Sequence, residues 1–470
     1  MSSENVRREQ PSVAFNQEKT GCLADSVSYN VRLKQDWYLD MKVLIIGSGG
    51  REHALAWKLK QSKKIQKLFC APGNAGMMRI AKCVNIKADD IERLADFAAD
   101  SGINLTVVGP ELPLALGLAD EFKRRKLKVF GPEKSGHRLE SSKVFAKEFM
   151  QKYHIPTAAF RVFDNLTEAI GFCKGIEFPT VIKVDGLAAG KGVSIVHNLD
   201  QAIRTLEEIF NEKKFGEAGL RVIVESCLTG QEVSIMVVTD GKTYVPLLPS
   251  QDHKQLLDGD RGPNTGGMGA FCPAEFVTEN VMGQITQFVL EPTIAALRKE
   301  NIPYRGVLYA GLMLTVAGPK VLEFNCRFGD PETQAVLPLL KTDLLEIMKA
   351  TVEGRLDKLG KLEWRKGSAA CVIMASKGYP GAYATGQRIA GLQDVREEGA
   401  YVFHSGTERE NNQWVTAGGR VLGVMGMDSN LRGALAKAYR VVKRIRFEGA
   451  HYRHDIGFRV LGEHKKEEHA

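Results

Sequence analysis

Two regimes of patterning divide the chain. Residues 1–40 are polar throughout, hold no sustained period of two or 3.6, and lack the apolar stretch of a secretory signal. They are expected to form a flexible N-terminal extension. From Met41 onwards apolar blocks alternate with amphipathic ones. Lys42-Val43-Leu44-Ile45-Ile46 reads as a buried strand, followed by a glycine-rich turn and a helical run over 52–61. A strand at 67–71, a helix near 91–101 and a strand at 105–108 continue the alternation, which predicts an α/β domain over 41–142 with a doubly wound parallel sheet. One helix at 141–153 is expected to end before Pro156 and to lead into the next unit, 143–366. There, strands at 180–184, 221–224, 233–239, 308–314 and 320–324 mix with helices and glycine loops in an α+β pattern. From Gly367 short strands dominate and a helix at 431–444 follows, so a small α+β C-terminal domain is expected over 367–470.

Composition narrows the function classes. The 470 residues, 44% hydrophobic, are enough for several cores, and no run approaches the ~18 apolar residues of a membrane-spanning helix. The net charge of +8 could steer an anionic partner. The basic clusters at 123–126 and 443–446 have no interleaved aromatics, however, so scattered solvated charge is expected, with no nucleic-acid partner. The eight cysteines lie far apart and form no C-x-x-C pair, which argues against a zinc ribbon and for reduced thiols in the cytoplasm.

Five segments carry candidate chemistry. Gly47-Ser48-Gly49-Gly50-Arg51-Glu52-His53 joins a strand to a helix, where backbone amides and the positive helix end suit a phosphate. A dinucleotide fingerprint would place glycine at Glu52 and an acid after the second strand, where Cys70-Ala71-Pro72-Gly73 stands instead. An anion site for a phosphorylated substrate is therefore expected; a tight turn without a ligand is the structural alternative. Lys183-Val184-Asp185-Gly186-Leu187-Ala188-Ala189-Gly190-Lys191-Gly192 offers two lysines and a small-residue loop to a triphosphate, without Walker A spacing. The strand through Glu225 leads into a connector at Leu228 that could hold adenine, with Glu232 in reach of a ribose. Taken alone, it is an ordinary buried strand.

In Glu323-Phe324-Asn325-Cys326-Arg327-Phe328-Gly329-Asp330 the alternation of a strand puts Glu323 and Asn325 on one face. Two such oxygens suit Mg²⁺ or Mn²⁺ on nucleotide phosphates, and Arg327 could clamp a carboxylate or acyl phosphate. A Glu323–Arg327 ion pair is the alternative. Finally, Gln251-Asp252-His253-Lys254 precedes the polar glycine loop Gly262-Pro263-Asn264-Thr265-Gly266-Gly267-Met268-Gly269, which could close round a ligand.

Taken in order, these strings resemble the ATP-grasp superfamily and, within it, the phosphoribosylamine–glycine ligase family. MKVLIIGSGGREHALAWKL, APGNAG, VVGPELPL, SSKVFAKEFM, VIKVDGLAAGKGV, SQDHK, GPNTGGMGAFCP and EFNCRFGDPETQ carry the resemblance, and HSGT, GGRVLGV and YRHDIG extend it towards residue 460. It implies an N-terminal doubly wound domain, a central ATP-grasp unit with a mobile lid at about 157–228, and a small C-terminal domain. The implied activity joins glycine to 5-phosphoribosylamine with ATP, through glycyl phosphate, in a monomeric enzyme.

By the same resemblance Lys143, Lys183, Asp185, Gly186, Lys191 and Gly192 match the ATP phosphate side, Glu225, Leu228 and Glu232 the nucleoside, and Glu323 and Asn325 the Mg²⁺ or Mn²⁺ ligands. Gly47, Gly49, Gly50, Arg51, Glu52, Asn74, Gly109, Pro110 and Glu111 match the phosphoribosylamine side. His253, Asn264, Thr265, Gly266, Gly267, Met268 and Asp330 are assigned to substrate, and Arg327, Asp252 and Lys254 to catalysis. Val184, Ser226-Cys227 and His454 depart from the usual pattern. Another ATP-grasp ligase or carboxylase is the nearest alternative activity. A nicotinamide oxidoreductase and a nucleic-acid-binding protein are the distant ones.

Overall fold

The computed structural model describes residues 41–188, 192–395 and 397–462. The expected extension at 1–40 and Lys191 lie outside the described residues.

The first sheet is parallel. Its five strands run in the order Lys82–Cys83, Ile65–Pro72, Met41–Gly47, Leu105–Val108, Val129–Phe130. The central strand shows why both faces carry helices. Val43 and Ile45 enter one core with Leu55 and Leu59 of the helix Gly50–Leu59. Leu44 and Ile46 enter another with Leu94 and Ala98 of Ile91–Asp100 and Phe122 of Leu118–Arg124. A strand apolar at every position must be covered on both sides, as expected of a doubly wound sheet.

Among the described residues three antiparallel sheets of four or five strands follow, besides two smaller ones. Phe160–Phe163, Val222–Ser226, Thr180–Val184 and Val193–Val196 form one, with a separate small core under the helices Leu166–Cys173 and Leu199–Phe210. Tyr244–Pro246, Gln231–Thr239, Gly306–Thr315 and Gly318–Asn325 form the second. The third runs Gln251–Asp252, Gly269–Cys272, Ser368–Ala375, Arg420–Asp428, Ala400–His404. It therefore spans both sides of residue 367. Gly269–Cys272 hydrogen-bonds to Ser368–Ala375, so the C-terminal segment completes a sheet begun a hundred residues earlier. The helix Glu332–Leu339, buried along its whole length, packs against this sheet and against the helix Gly50–Leu59.

The helix expected at 141–153 runs from Lys143 to Lys152, and a further helix, Lys134–Ser141, ends just before it. Ser142 between them is extended (φ −133°, ψ 107°), and its side chain accepts the Phe145 N–H. Asp185, distant in sequence, supports the new helix start: its Oδ1 accepts from Val144 N and Ser142 Oγ, both at 2.8 Å. Capping by a residue on another strand leaves no trace in local periodicity.

The N-terminal helix meets the C-terminal sheet at two buried histidines, where His404 N donates to His53 Nδ1 at 2.9 Å. Burial, and then the neighbouring His404, lower the His53 pKa to about 3; burial, and then Arg79, lower that of His404 to about 4. Both are neutral in the fold and would protonate in the unfolded chain below its ordinary value of about 6.5. Their contribution to stability is therefore constant above that pH and is lost as pH falls towards 4 and 3, by up to about 1.4 kcal/mol per pH unit for each ring. Urea unfolding at pH 7.5 and pH 5 should show this loss, and His404→Gln should make the acid limb shallower; equal limbs would exclude the pair as its source.

Candidate functional site

A cavity of about 740 Å³ opens where the first sheet, the small lid-like sheet, the central sheet and the C-terminal segment converge. Its walls are dense in charge, and several of the buried charges are paired.

On the side nearest the small sheet, strand register sets Val181 opposite Glu225 and Lys183 opposite Ile223. The Glu225 carboxylate lies between two ammonium groups, Lys147 Nζ at 2.5 Å and Lys183 Nζ at 2.6 Å, and its side chain is only 3% exposed. Lys147 follows Lys143 by one turn on the same helix face, and both line the cavity with Leu228, Gly192 and Glu232. Burial lowers the pKa of Lys143, and that of Lys147 to about 8 against the pull of Glu225.

On the central sheet, Glu323 and Asn325 both line the cavity, as alternation along a strand requires. Burial opposes ionisation of Glu323, yet Lys254, Lys183, Lys143 and Arg327 outweigh it and hold its pKa at about 2. Lys254 Nζ stands 3.6 Å from Glu323 and 3.6 Å from Glu232. Asp252 is the opposite case: burial first, then the acids Glu332, Glu232 and Glu323, push it up to about 8 against Lys254. It holds a proton at neutral pH. Arg327 pairs with Glu140 (2.9 Å) and faces Glu111 (3.4 Å), not Glu323, so the simple Glu323–Arg327 ion pair is not formed. Arg327 and Arg51 keep the Glu111 carboxyl at about 2 in spite of burial.

Ser48, Gly49 and Arg51 line the far end with Pro110 and Glu111. Glu52 folds back under this loop: its Oε2 accepts the Gly49 N–H at 2.6 Å and its Oε1 pairs with Arg51 Nε at 2.6 Å. A side chain at Gly47 (φ +118°) or Gly109 would strike Glu52 within 2.6 Å. A carboxylate thus fills the space where a dinucleotide fingerprint has its third glycine, which argues physically against a nicotinamide cofactor.

Among the other assigned residues, Asn264, Thr265, Gly266 and Asp330 line the cavity, and Arg420 holds Asp330 Oδ2 at 3.0 Å and Gly266 O at 2.6 Å. Several do not line it. Asp185 is occupied by the helix start and by Arg221 at 2.5 Å, and Gly186 packs on Ala218. His253 is buried away from the cavity: its Nε2 accepts from Gly457 N at 3.0 Å, and burial lowers its pKa to about 3. Met268 is wholly buried, and Gly267 abuts Pro331. Asn74 ties loops together, donating to Ser48 O (2.7 Å) and His404 O (2.8 Å). Gly47, Gly50, Glu52 and Gly109 shape the loop from beneath. These residues stand outside the cavity's lining, with their polar groups or the space beside them already taken.

Sequence reasoning missed Lys147, Glu140, Glu332, Ser405, Tyr379 and Arg420, all of which line the cavity. The i,i+4 spacing from Lys143 could have found Lys147. Glu332, Ser405 and Arg420 stand within the quoted strings EFNCRFGDPETQ, HSGT and GGRVLGV, but nothing in those strings marks their place on the cavity wall.

Three sequence models of phosphoribosylglycinamide synthetase match the chain: the N domain at 41–140, the ATP-grasp (A) domain at 141–333 and the C domain at 369–459. The chain belongs to the phosphoribosylglycinamide synthetase family. A phosphoribosylamine–glycine ligase from Caldanaerobacter subterraneus subsp. tengcongensis is 51% identical over 416 residues, covering 88% of this chain and 99% of the relative. The human trifunctional purine biosynthetic protein adenosine-3 is 48% identical over 89% of this chain, which spans 42% of that longer protein. The crystal structure of the Thermotoga maritima phosphoribosylamine–glycine ligase superposes with a TM-score of 0.76 at 36% identity, over 88% of this chain and all of that one. A biotin carboxylase domain from Hydrogenobacter thermophilus, 15% identical with a TM-score of 0.67 over 87% and 91% of the two chains, shares the fold alone. Members of the synthetase family are carbon–nitrogen ligases built on an ATP-grasp domain. No helix among the described residues is long and apolar enough to cross a membrane.

Glu225→Ala would strand Lys147 and Lys183 without their shared counterion. Loss of one partner from a buried ion pair costs about 3–5 kcal/mol. The expected result is a lower urea midpoint, with nucleotide binding lost by calorimetry; unchanged binding would remove this triad from the nucleotide side.

Proposed function

We propose that the chain ligates glycine to 5-phosphoribosylamine, with ATP as the energy source, through glycyl phosphate, yielding glycinamide ribonucleotide, ADP and phosphate. The observation that carries this reading is the position of Arg327, 3.4 Å from Glu111 on the turn of the first sheet and 3.1 Å from Asn325 on the central strand. One guanidinium joins the wall read as the ribosylamine side to the wall read as the nucleotide side. Its Nε is the atom that faces the Glu111 carboxylate, and its Nη2 is the one that donates to Asn325, so the two walls are tied through one planar group.

In this reading Lys143 and Lys183 compensate the ATP phosphates, Glu225 and Leu228 flank adenine, and Glu232 meets the ribose. Glu323 and Asn325 would hold a divalent ion, with Mg²⁺ the first choice and Mn²⁺ a substitute. The donor set fits: Glu323 is kept ionised despite burial, and Asn325 adds a neutral hard oxygen. Among the described residues no cluster of three or more His, Cys, Asp or Glu side chains could hold a metal by itself. Two protein oxygens suit an ion whose remaining ligands are phosphate and water. When bound, the ion offsets repulsion between the glycine carboxylate and the phosphate it attacks.

Lys254 lies between Glu232 and Glu323 and would shift towards phosphate as Glu323 takes a cation. Asp252, whose burial favours the neutral acid, can give a proton near the acyl centre. Asp330, fixed by Arg420, shapes the amino-acid end beside Asn264, Thr265 and Gly266. The ribosyl phosphate would meet Ser48, Gly49 and Arg51. Residues 157–228, with their own core, would act as the lid that excludes water from the acyl phosphate. A monomer in the cytoplasm is part of this reading, and the described cysteines are free thiols.

The direct test is ADP release with glycine and freshly prepared phosphoribosylamine, each omitted in turn. Full turnover should require both, and phosphate release independent of glycine would refute the reading. Glu323→Ala should lower turnover at least ~100-fold, in line with losses of transition-state charge stabilisation; near-normal turnover at saturating Mg²⁺ would remove Glu323 from its role.

A further inference from the structure

We propose that Glu140 is a positioning residue for the ligation, fixing the guanidinium of Arg327 and, through it, the amide of Asn325. The inference rests on the functional reading above and extends it to a residue outside the motif that carries Glu323, Asn325 and Arg327.

Glu140 lies in the helix Lys134–Ser141, which packs against the strand Gly318–Asn325. Its side chain is 5% exposed, and its two oxygens hold two parts of the same segment. Oε2 accepts the Cys326 N–H at 2.6 Å, fixing the backbone just beyond the strand end. Oε1 lies 2.9 Å from Arg327 Nη2, fixing the side chain that follows. Arg327 then donates from Nη2 to Asn325 Oδ1 at 3.1 Å and from Nη1 to Phe328 O at 3.2 Å.

The direction of this relay follows from chemistry. A guanidinium has donors only, so the Asn325 group facing it must be the amide oxygen and not the NH₂. That oxygen keeps a second lone pair, on a residue that lines the cavity. Glu111, the other acid beside Arg327, is a third exposed and stands at 3.4 Å, so it restrains the guanidinium less. Without the Glu140 carboxylate, Arg327 can turn towards Glu111, and the Asn325 amide loses the contact that sets its orientation.

Glu140→Gln tests this, because it keeps an acceptor of the same size for Cys326 N–H and removes the charge opposite Arg327. Two measurements are needed. Turnover should fall about tenfold to a hundredfold with little change in KM for ATP, the usual cost of losing a group that orients a ligand. Mn²⁺ affinity should also weaken several-fold in the presence of a non-hydrolysable ATP analogue without glycine, where nothing turns over. Wild-type turnover with wild-type Mn²⁺ affinity would overturn the proposal. So would a drop in thermal stability with Mn²⁺ affinity unchanged, since that marks a purely structural acid.

Should Glu140→Gln not fold, Glu140→Asp keeps the charge but not the reach. It should show the same weakening in smaller measure, and wild-type values there would equally overturn the proposal. If the wild-type chain shows no glycine-dependent ADP release, the functional reading fails by itself, while the Mn²⁺ titration still decides the link from Glu140 to Asn325.

Discussion

Charge that is removed from water must be compensated inside the protein, and the cavity is organised round that constraint. Glu225 is held between Lys147 and Lys183, Arg327 between Glu140 and Glu111, and Lys254 between Glu232 and Glu323, while Asp330 is held by Arg420. An isolated buried ion is far too costly to persist, whereas a paired one with its hydrogen bonds made is tolerated. A site that handles a polyanion needs many cations, and those cations need partners before the anion arrives. The acids of the cavity serve this purpose as much as any direct contact with ligand.

The same constraint explains why several sheets are needed. No single sheet carries both members of most pairs. Lys147 comes from a helix and Glu225 from the small sheet, Arg327 from the end of the central sheet and Glu140 from a preceding helix, and Arg420 from the C-terminal segment. Movement of the small sheet would carry Glu225 and Lys183 together, because both lie on its strands, and would leave Lys147 behind. A lid hinged in this way would couple nucleotide contact to closure through a buried ion pair.

The loop after the first strand shows how one residue redirects a familiar arrangement. Glycines at Gly47, Gly49 and Gly50 look like a nucleotide cradle, but the Glu52 carboxylate takes the Gly49 amide and fills the space beneath. The loop remains tightly turned, and only Ser48, Gly49 and Arg51 reach the cavity. With glutamate at this position the space that a dinucleotide fingerprint keeps open beneath the loop is filled.

Sequence alone determined the three central strands of the first sheet, since continuous apolar strands and amphipathic helices in alternation have few other ways to bury themselves; its short edge strands Lys82–Cys83 and Val129–Phe130 were not read. It also determined that Glu323 and Asn325 share a face, because strand alternation is local geometry. The second support of the helix start at Ser142 was illegible: it is a carboxylate at Asp185, brought close only by folding. The same holds for His253, which reads as a site residue beside Asp252 and Lys254 but points the other way, as alternate residues of an extended segment do. Glu140, Glu332 and Arg420 were silent for a related reason. Their roles consist of pairings across long stretches of chain, and pairing between distant charges depends on burial and separation that only tertiary structure decides.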